Sequence, residues 1–152
     1  MARLDAVGKR LAEHAARETP RGLTEPDPGG TERWEAGQVW AHMAEFVGYW
    51  RRELENVVTA FSGTPVPFGR TKDDPARAAA IETGRHEPIP ALMSRVHEDV
   101  AAFESYLGSL NSDDWIAVGL HSRLGEMGVA AIVQRFVVGH LEEHADQLDG
   151  LR

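Results

Sequence analysis

Apolar residues recur along this chain at helical spacing, with little of the alternation that marks a half-buried strand. Leu4, Val7, Leu11 and Ala15 predict a first helix over residues 2–18, closed by Pro20 and the breaker-rich "TPRGLTEPDPGG". From Trp34 a second stripe runs through Val39, Met43, Phe46, Val47, Trp50, Leu54, Val57, Val58 and Phe61, one long amphipathic helix. "SGTPVPFGRTKDDP", Ser62 to Pro75, then reads as a long exposed loop matching no motif, and "ARAAAIETG" as a short extra helix. A third stripe is Leu92, Val96, Val100, Phe103, Leu107 and Leu110, and "NSDDW" follows as a turn with capping residues. The fourth, from about Gly125, is Val129, Ile132, Val133, Phe136, Val137, Leu141 and Leu148. No stretch alternates over six residues, and no repeat is found. The expectation is an all-α, four-helix bundle with long connections, a single domain over residues 1–152.

Composition narrows the function. A formal net charge of -8 and a pI near 5.3, with no basic run interleaved with aromatics, argue against a nucleic-acid partner. The absence of cysteine excludes disulfides, thiolate-bound zinc and a protein thiol nucleophile. The charged N-terminal stretch holds no signal-peptide core and no apolar run is long enough to span a membrane, so the cytoplasm is the expected compartment.

Candidate chemistry lies with the histidines, of which there are seven. His14, His86 and His97 fall at the edge of a stripe, in a loop and on a helix flank, where solvated or structural roles suffice. His140 and His144 share one row of the fourth helix with Ile132, Phe136 and Leu148. Four α-helical residues rise ~6 Å, so both imidazoles can reach one ion. His42 falls between Val39 and Phe46 on the buried side of the second helix. Three inward imidazoles need partners, because burial of polar groups without them is costly, and a divalent metal supplies one. The spelling H-x-x-E-H in "HLEEH" also fits an inverted zinc protease, with Glu143 as general base. Such enzymes expect a third ligand well downstream, however, and Glu143 lies one residue off the histidine row. His121, in the turn before the fourth helix, is not expected to be a direct ligand. Gln38, Glu45 and Tyr49 lie near His42 and read as solvated helix residues able to orient a ligand or touch substrate.

Together "RWEAGQVWAHMAEFVGYW", "SRLGEMG" and "FVVGHLEEHADQL" resemble the DinB-like superfamily of metal-binding bundles. That superfamily takes in the YfiT-like proteins and the N-terminal domain of mycothiol-dependent maleylpyruvate isomerases. The resemblance implies a DinB-like topology, a homodimer, and a divalent metal, zinc or nickel first, on His42, His140 and His144. It also implies a small-molecule substrate and a metal-dependent transferase joining a low-molecular-weight thiol to an electrophile. The second domain of those isomerases has no counterpart in the sequence, which puts that particular reaction in doubt. A hydrolase using metal-activated water needs the same site, and a non-catalytic metal- or ligand-binding stress-response module is the alternative from another class. The apolar far end of the second helix (Trp50, Leu54, Val57, Val58, Phe61) is a further ground for expecting a dimer.

Overall fold

A computed structural model describes residues 2–26 and 31–151. Its helices are α1 (Ala2–Ala15), α2 (Ala36–Ala60), α3 (Pro75–Gly84), α4 (Ile89–Ser109), α5 (Val129–Val133) and α6 (Gly139–Gly150). A π-helical turn, Gln134–Val138, joins the last two. Three short strands, β1 (Val66–Phe68), β2 (Val118–His121) and β3 (Gly125–Gly128), form one sheet in the order β1-β2-β3. β1 runs parallel to β2, pairing Phe68 with His121, and β3 returns antiparallel.

The long helices pack in a ring: α1 against α4 and α6, and α2 against the same two. α3 covers a further side of α2. Each stripe supplies the shared core. Leu4, Val7 and Leu11 of α1 and Leu92, Val96 and Phe103 of α4 are buried in it, while Val39, Met43, Phe46, Val47 and Leu54 of α2 are essentially sealed from solvent. α2 begins with a reciprocal capping box, in which the Gln38 side chain accepts from the Glu35 backbone N–H and the Glu35 carboxylate accepts from that of Gln38. The α1–α6 seam carries exposed ion pairs, Arg3 with Glu142 and Arg10 with Asp146 and Asp149. His14 joins that seam through Asp149 at 2.8 Å, whereas His86 and His97 are exposed. Pairs of this kind contribute little each and act chiefly on which faces meet.

The expectation of a purely all-α, strictly four-helix bundle is corrected by the sheet and by α3. Strands of three or four residues are too short to alternate over six positions, and glycines at 119, 125 and 128 make β2 and β3 read as loop. Gly119 is required, since a Cβ there would lie 2.5 Å from the Phe68 ring. The fourth helix begins at Val129 rather than Gly125, because residues 125–128 are spent on β3. The loop from Ser62 to Pro75 is part strand and bends back over α2. Gly69, at φ +85, makes that bend beneath His121, where any Cβ would collide with the imidazole.

The far end of α2 is also covered within the chain. Trp50, Leu54 and Val57 are buried, so this stripe offers no reason for a second copy.

Candidate metal centre

His42, His140 and His144 meet where α2 crosses the start of α6. Each offers one ligand atom, and these atoms all lie within 4.8 Å of one another. His42 and His144 are buried and His140 nearly so. Nitrogens bound about 2.0–2.1 Å from one tetrahedral ion sit ~3.4 Å apart, within reach of small ring rotations. Aromatic walls hold the rings. Phe46 stacks on His140 at 4.3 Å, Trp34 stacks on His144 at 6.1 Å and meets His42 edge-on at 5.2 Å. Trp34 is itself pinned before α2, its backbone N–H donating to Thr24 Oγ1 at 3.0 Å and its carbonyl accepting from Thr24 N at 2.8 Å.

Local backbone geometry aims the pair on α6. The Gly139 N–H donates to the Gln134 carbonyl five residues back, the defining bond of the π-turn. A Cβ at position 139 would lie 2.9 Å from that same carbonyl oxygen, so glycine is what lets the turn close. The histidines follow at once on the next turn.

Hydrogen bonds select tautomers suited to ligation. His144 Nδ1 donates to Gln147 Oε1 at 2.7 Å, which leaves the lone pair on Nε2. His140 stacks on Phe46 and sits beside both other imidazoles, at centroid distances of 5.1 Å from His42 and 4.7 Å from His144. His42 Nδ1 is buried without a hydrogen bond, with Glu45 Oε2 3.7 Å away. Burial first, then neighbouring His144, holds the basicity of both His42 and His140 well below the usual histidine value. His42 and the nearby arginines, Arg77 and Arg70, add to this depression. Burial thus favours the neutral form of His42 and His140, the state in which they can hold a metal ion. Three nitrogen donors of intermediate softness suit zinc, nickel, copper or iron, so the donor set fits a divalent metal without choosing it.

The surrounding residues fall out differently from expectation. Glu45 is not a solvated helix residue: it is largely buried and ion-paired with Arg70 at 2.5 Å. Arg70 in turn lies over the Tyr49 ring, 3.8 Å from its centroid, and burial pushes the Tyr49 hydroxyl up to about 12. Gln38 is committed to the capping box. Glu143 is exposed on α6, off the row of the histidines. His121 is buried outside the cluster: its Nδ1 accepts from the Arg123 and Leu124 backbone N–H groups at 3.3 Å, and its Nε2 faces the Arg70 carbonyl at 3.4 Å. Sequence reasoning missed Arg70, Lys72 and Arg77, which with Trp50 and Phe136 line a cleft of about 210 Å³ opening onto His42 and His140. The only available signal was a run of cations in a loop otherwise without a pattern.

A helical bundle that brings three imidazoles together beside a cleft presents a donor set able to hold a metal ion. The model for the DinB superfamily matches residues 3–148, and the chain belongs to that superfamily. Its fold is similar to that of the mycothiol-dependent maleylpyruvate isomerase (TM-score 0.71, 15% identity), covering 97% of this chain and 58% of that one. A point mutant of the isomerase superposes equally well, at TM-score 0.70 and 15% identity over 99% of this chain and 59% of that one. An uncharacterized protein from Clostridium difficile 630 is also similar, at TM-score 0.67 and 9% identity, covering 98% of this chain and 91% of that one. The chain thus spans about three-fifths of the isomerase's length. No curated protein sequence matches it. No helix among the described residues is long and apolar enough to cross a membrane.

Proposed function

We propose that the chain is a metal-dependent enzyme of the DinB superfamily that joins a low-molecular-weight thiol to a small electrophile. The single observation that carries the reading is the convergence of His42, His140 and His144 from two helices, beside a cleft that His42 and His140 line. A divalent ion held there, zinc or nickel first, would supply Lewis acidity in an open position, favouring the thiolate form of a bound thiol at neutral pH. The protein's residues do the rest. Gln147 orients the His144 ring, Trp34 and Phe46 pack against the imidazoles, and the cleft admits a ligand from the side of Arg70 and Arg77. The chain has no cysteine, so any sulfur nucleophile must arrive with a cosubstrate. The similar isomerase is described as mycothiol-dependent, which favours a thiol over water in that role.

Two measurements test this. Elemental analysis of the purified protein is expected to find about one zinc or nickel per chain. Mixing the metal-loaded protein with several thiols and electrophiles is then expected to consume thiol faster than buffer does. Metal without thiol consumption would instead support the non-catalytic binding module.

We also propose that the chain folds as a single domain and assembles as a homodimer. The apolar surface available for a dimer is not the far end of α2 but the exposed Trp115, Ile116, Leu120 and Leu124. Light scattering should give twice the chain mass, and Ile116→Asp should shift it towards the monomer.

A further inference from the structure

His42 Nδ1 is buried without a hydrogen bond, while the His42 ring lines the cleft. His144, by contrast, donates from Nδ1 to Gln147. A buried ring N–H left without an acceptor is costly, so a partner for Nδ1 is called for once the ring is fixed. Glu45 Oε2 lies 3.7 Å from it. Glu45 follows His42 by three positions on α2, which sets the two side chains on one face of that helix. A separation of 3.7 Å is outside hydrogen-bond range, and small side-chain rotations close it.

The Glu45 carboxylate is held from its other side. Arg70 donates to it at 2.5 Å, and the two side chains are only 9% and 16% exposed, Arg70 the more buried. Arg70 comes from the segment between β1 and α3, which is itself tied down. The Gly69 N–H donates to Glu53, the Arg70 carbonyl faces His121 Nε2 at 3.4 Å, and the Arg70 guanidinium lies over the Tyr49 ring at 3.8 Å. Asp74 stands 3.9 Å from the same guanidinium, so two carboxylates share one cation. A carboxylate has about four acceptor sites, and Glu45 therefore keeps capacity for an imidazole N–H. On its outer side Glu45 borders a groove of about 440 Å³ lined by Ala41, Ala44, Ala79 and Ala80. Without Arg70, hydration on that side would draw the charge away from His42.

We infer that Glu45 is a positioning residue for the metal centre: it accepts the His42 Nδ1 proton and leaves the Nε2 lone pair for the ion, while Arg70 holds the carboxylate in place. This rests on reading the three histidines as a metal centre, and it supplies the orienting partner of the His42 ring. A histidine bound to a metal through one nitrogen commonly donates from the other to a carboxylate, which fixes the tautomer and makes the ligand more basic. The His42–Glu45 spacing is local to one helix, whereas Arg70 reaches Glu45 from 25 positions further along the chain.

Two readouts test the assignment: zinc affinity by competition with a chromogenic chelator, and the His42 tautomer from proton–nitrogen correlation spectra of the imidazoles, with and without zinc. In the parent, His42 should carry its proton on Nδ1 in both forms. Glu45→Leu should bind zinc about 10- to 100-fold more weakly and lose the preference for Nδ1–H. Glu45→Gln keeps a neutral acceptor and should recover part of the affinity. Arg70→Met should weaken zinc binding by less. Added to Glu45→Leu it should cause no further loss, because both substitutions act through one carboxylate. Parental zinc affinity in Glu45→Leu, a zinc-loaded parent whose His42 is bound through Nδ1, or full additivity of the two substitutions would overturn the inference. A parent that takes up no zinc, yet holds the His42 proton on Nδ1 and loses that preference in Glu45→Leu, would remove the metal reading and leave the hold of Glu45 on the ring. Zinc bound equally well by parent and Glu45→Leu would do the reverse. Should Glu45→Leu lose its helical signal, the nitrogen through which His42 binds zinc in the parent decides the matter alone.

Discussion

Four buried or nearly buried imidazoles, one on α2 and three from other elements, use their ring nitrogens in two ways. His121 sits at the β2–β3 turn with both ring nitrogens used: two backbone N–H groups on Nδ1 and the Arg70 carbonyl facing Nε2. In the cluster His144 Nδ1 donates to Gln147, His42 Nδ1 and His144 Nε2 are buried without a hydrogen bond, and three ligand atoms lie within 4.8 Å of one another. The same residue type at similar depth is in one case a fastener for a turn and in the other a donor set. Burial alone therefore says nothing about ligation. What separates the two is where the lone pairs point, and that depends on which neighbours take the N–H.

The largest expected effect breaks the cluster. His140→Ala or His42→Ala should weaken zinc binding more than about 100-fold, beyond what loss of a supporting partner costs. The helical signal should persist, read by competition with a chromogenic chelator and circular dichroism. If either variant keeps parental affinity, the comparison with His121 has no content.

Next comes the support of one ring. Gln147→Ala removes the acceptor that holds the His144 Nδ1 proton, and zinc affinity should fall by about 10–100-fold, as for other partners of metal-bound histidine. An unchanged affinity would show that the ring is oriented without this hydrogen bond.

His121→Ala sharpens the contrast from the other side. It deletes the acceptor for the Arg123 and Leu124 N–H groups and should cost about 1–3 kcal/mol in urea unfolding of the metal-free protein. Metal content should be unaffected. Loss of metal as complete as in His140→Ala would move His121 into the site.

The smallest effect is on pH dependence. Free histidine titrates near ~6.5. His42 and His140 are held well below their usual value by burial, so the unfolded chain takes up protons that the folded chain refuses. Their contribution to metal-free stability is thus complete above about 6.5 and lost as pH falls from there through the folded-state values. Because the folded imidazoles stay neutral further into acid, metal affinity should also begin to fall below pH ~6.5, not at it. Unfolding curves and zinc titrations from pH 8 to 5 check both. An affinity already declining above pH 7 would contradict the buried, neutral cluster.

Much of this molecule was legible in its residues, and the reasons divide cleanly. Helical periodicity is local: the stripes from Leu4, Trp34, Leu92 and Val129 each set a face without knowledge of the others, and the i, i+4 spacing of His140 and His144 follows from helix geometry alone. For the same reason His42 could be assigned to the buried side of α2. The sheet was illegible because its strands are stabilised by register with one another, over only three or four residues each, and the parallel pair joins residues some fifty positions apart. The far end of α2 looked unpartnered because the elements that cover it, β1 and β2, gave no periodic signal. The π-turn shows the same limit, since its bond depends on one glycine whose role appears only when a Cβ is placed there. Sequence by itself determined which residues could be ligands and which faces were apolar. Only the tertiary structure decided that Arg70, Lys72 and Arg77 stand over the cluster, that Glu45 pairs with Arg70, and that His121 is used up by a turn. Those are meetings between distant segments, where long-range packing rather than local spacing settles which charge faces which lone pair.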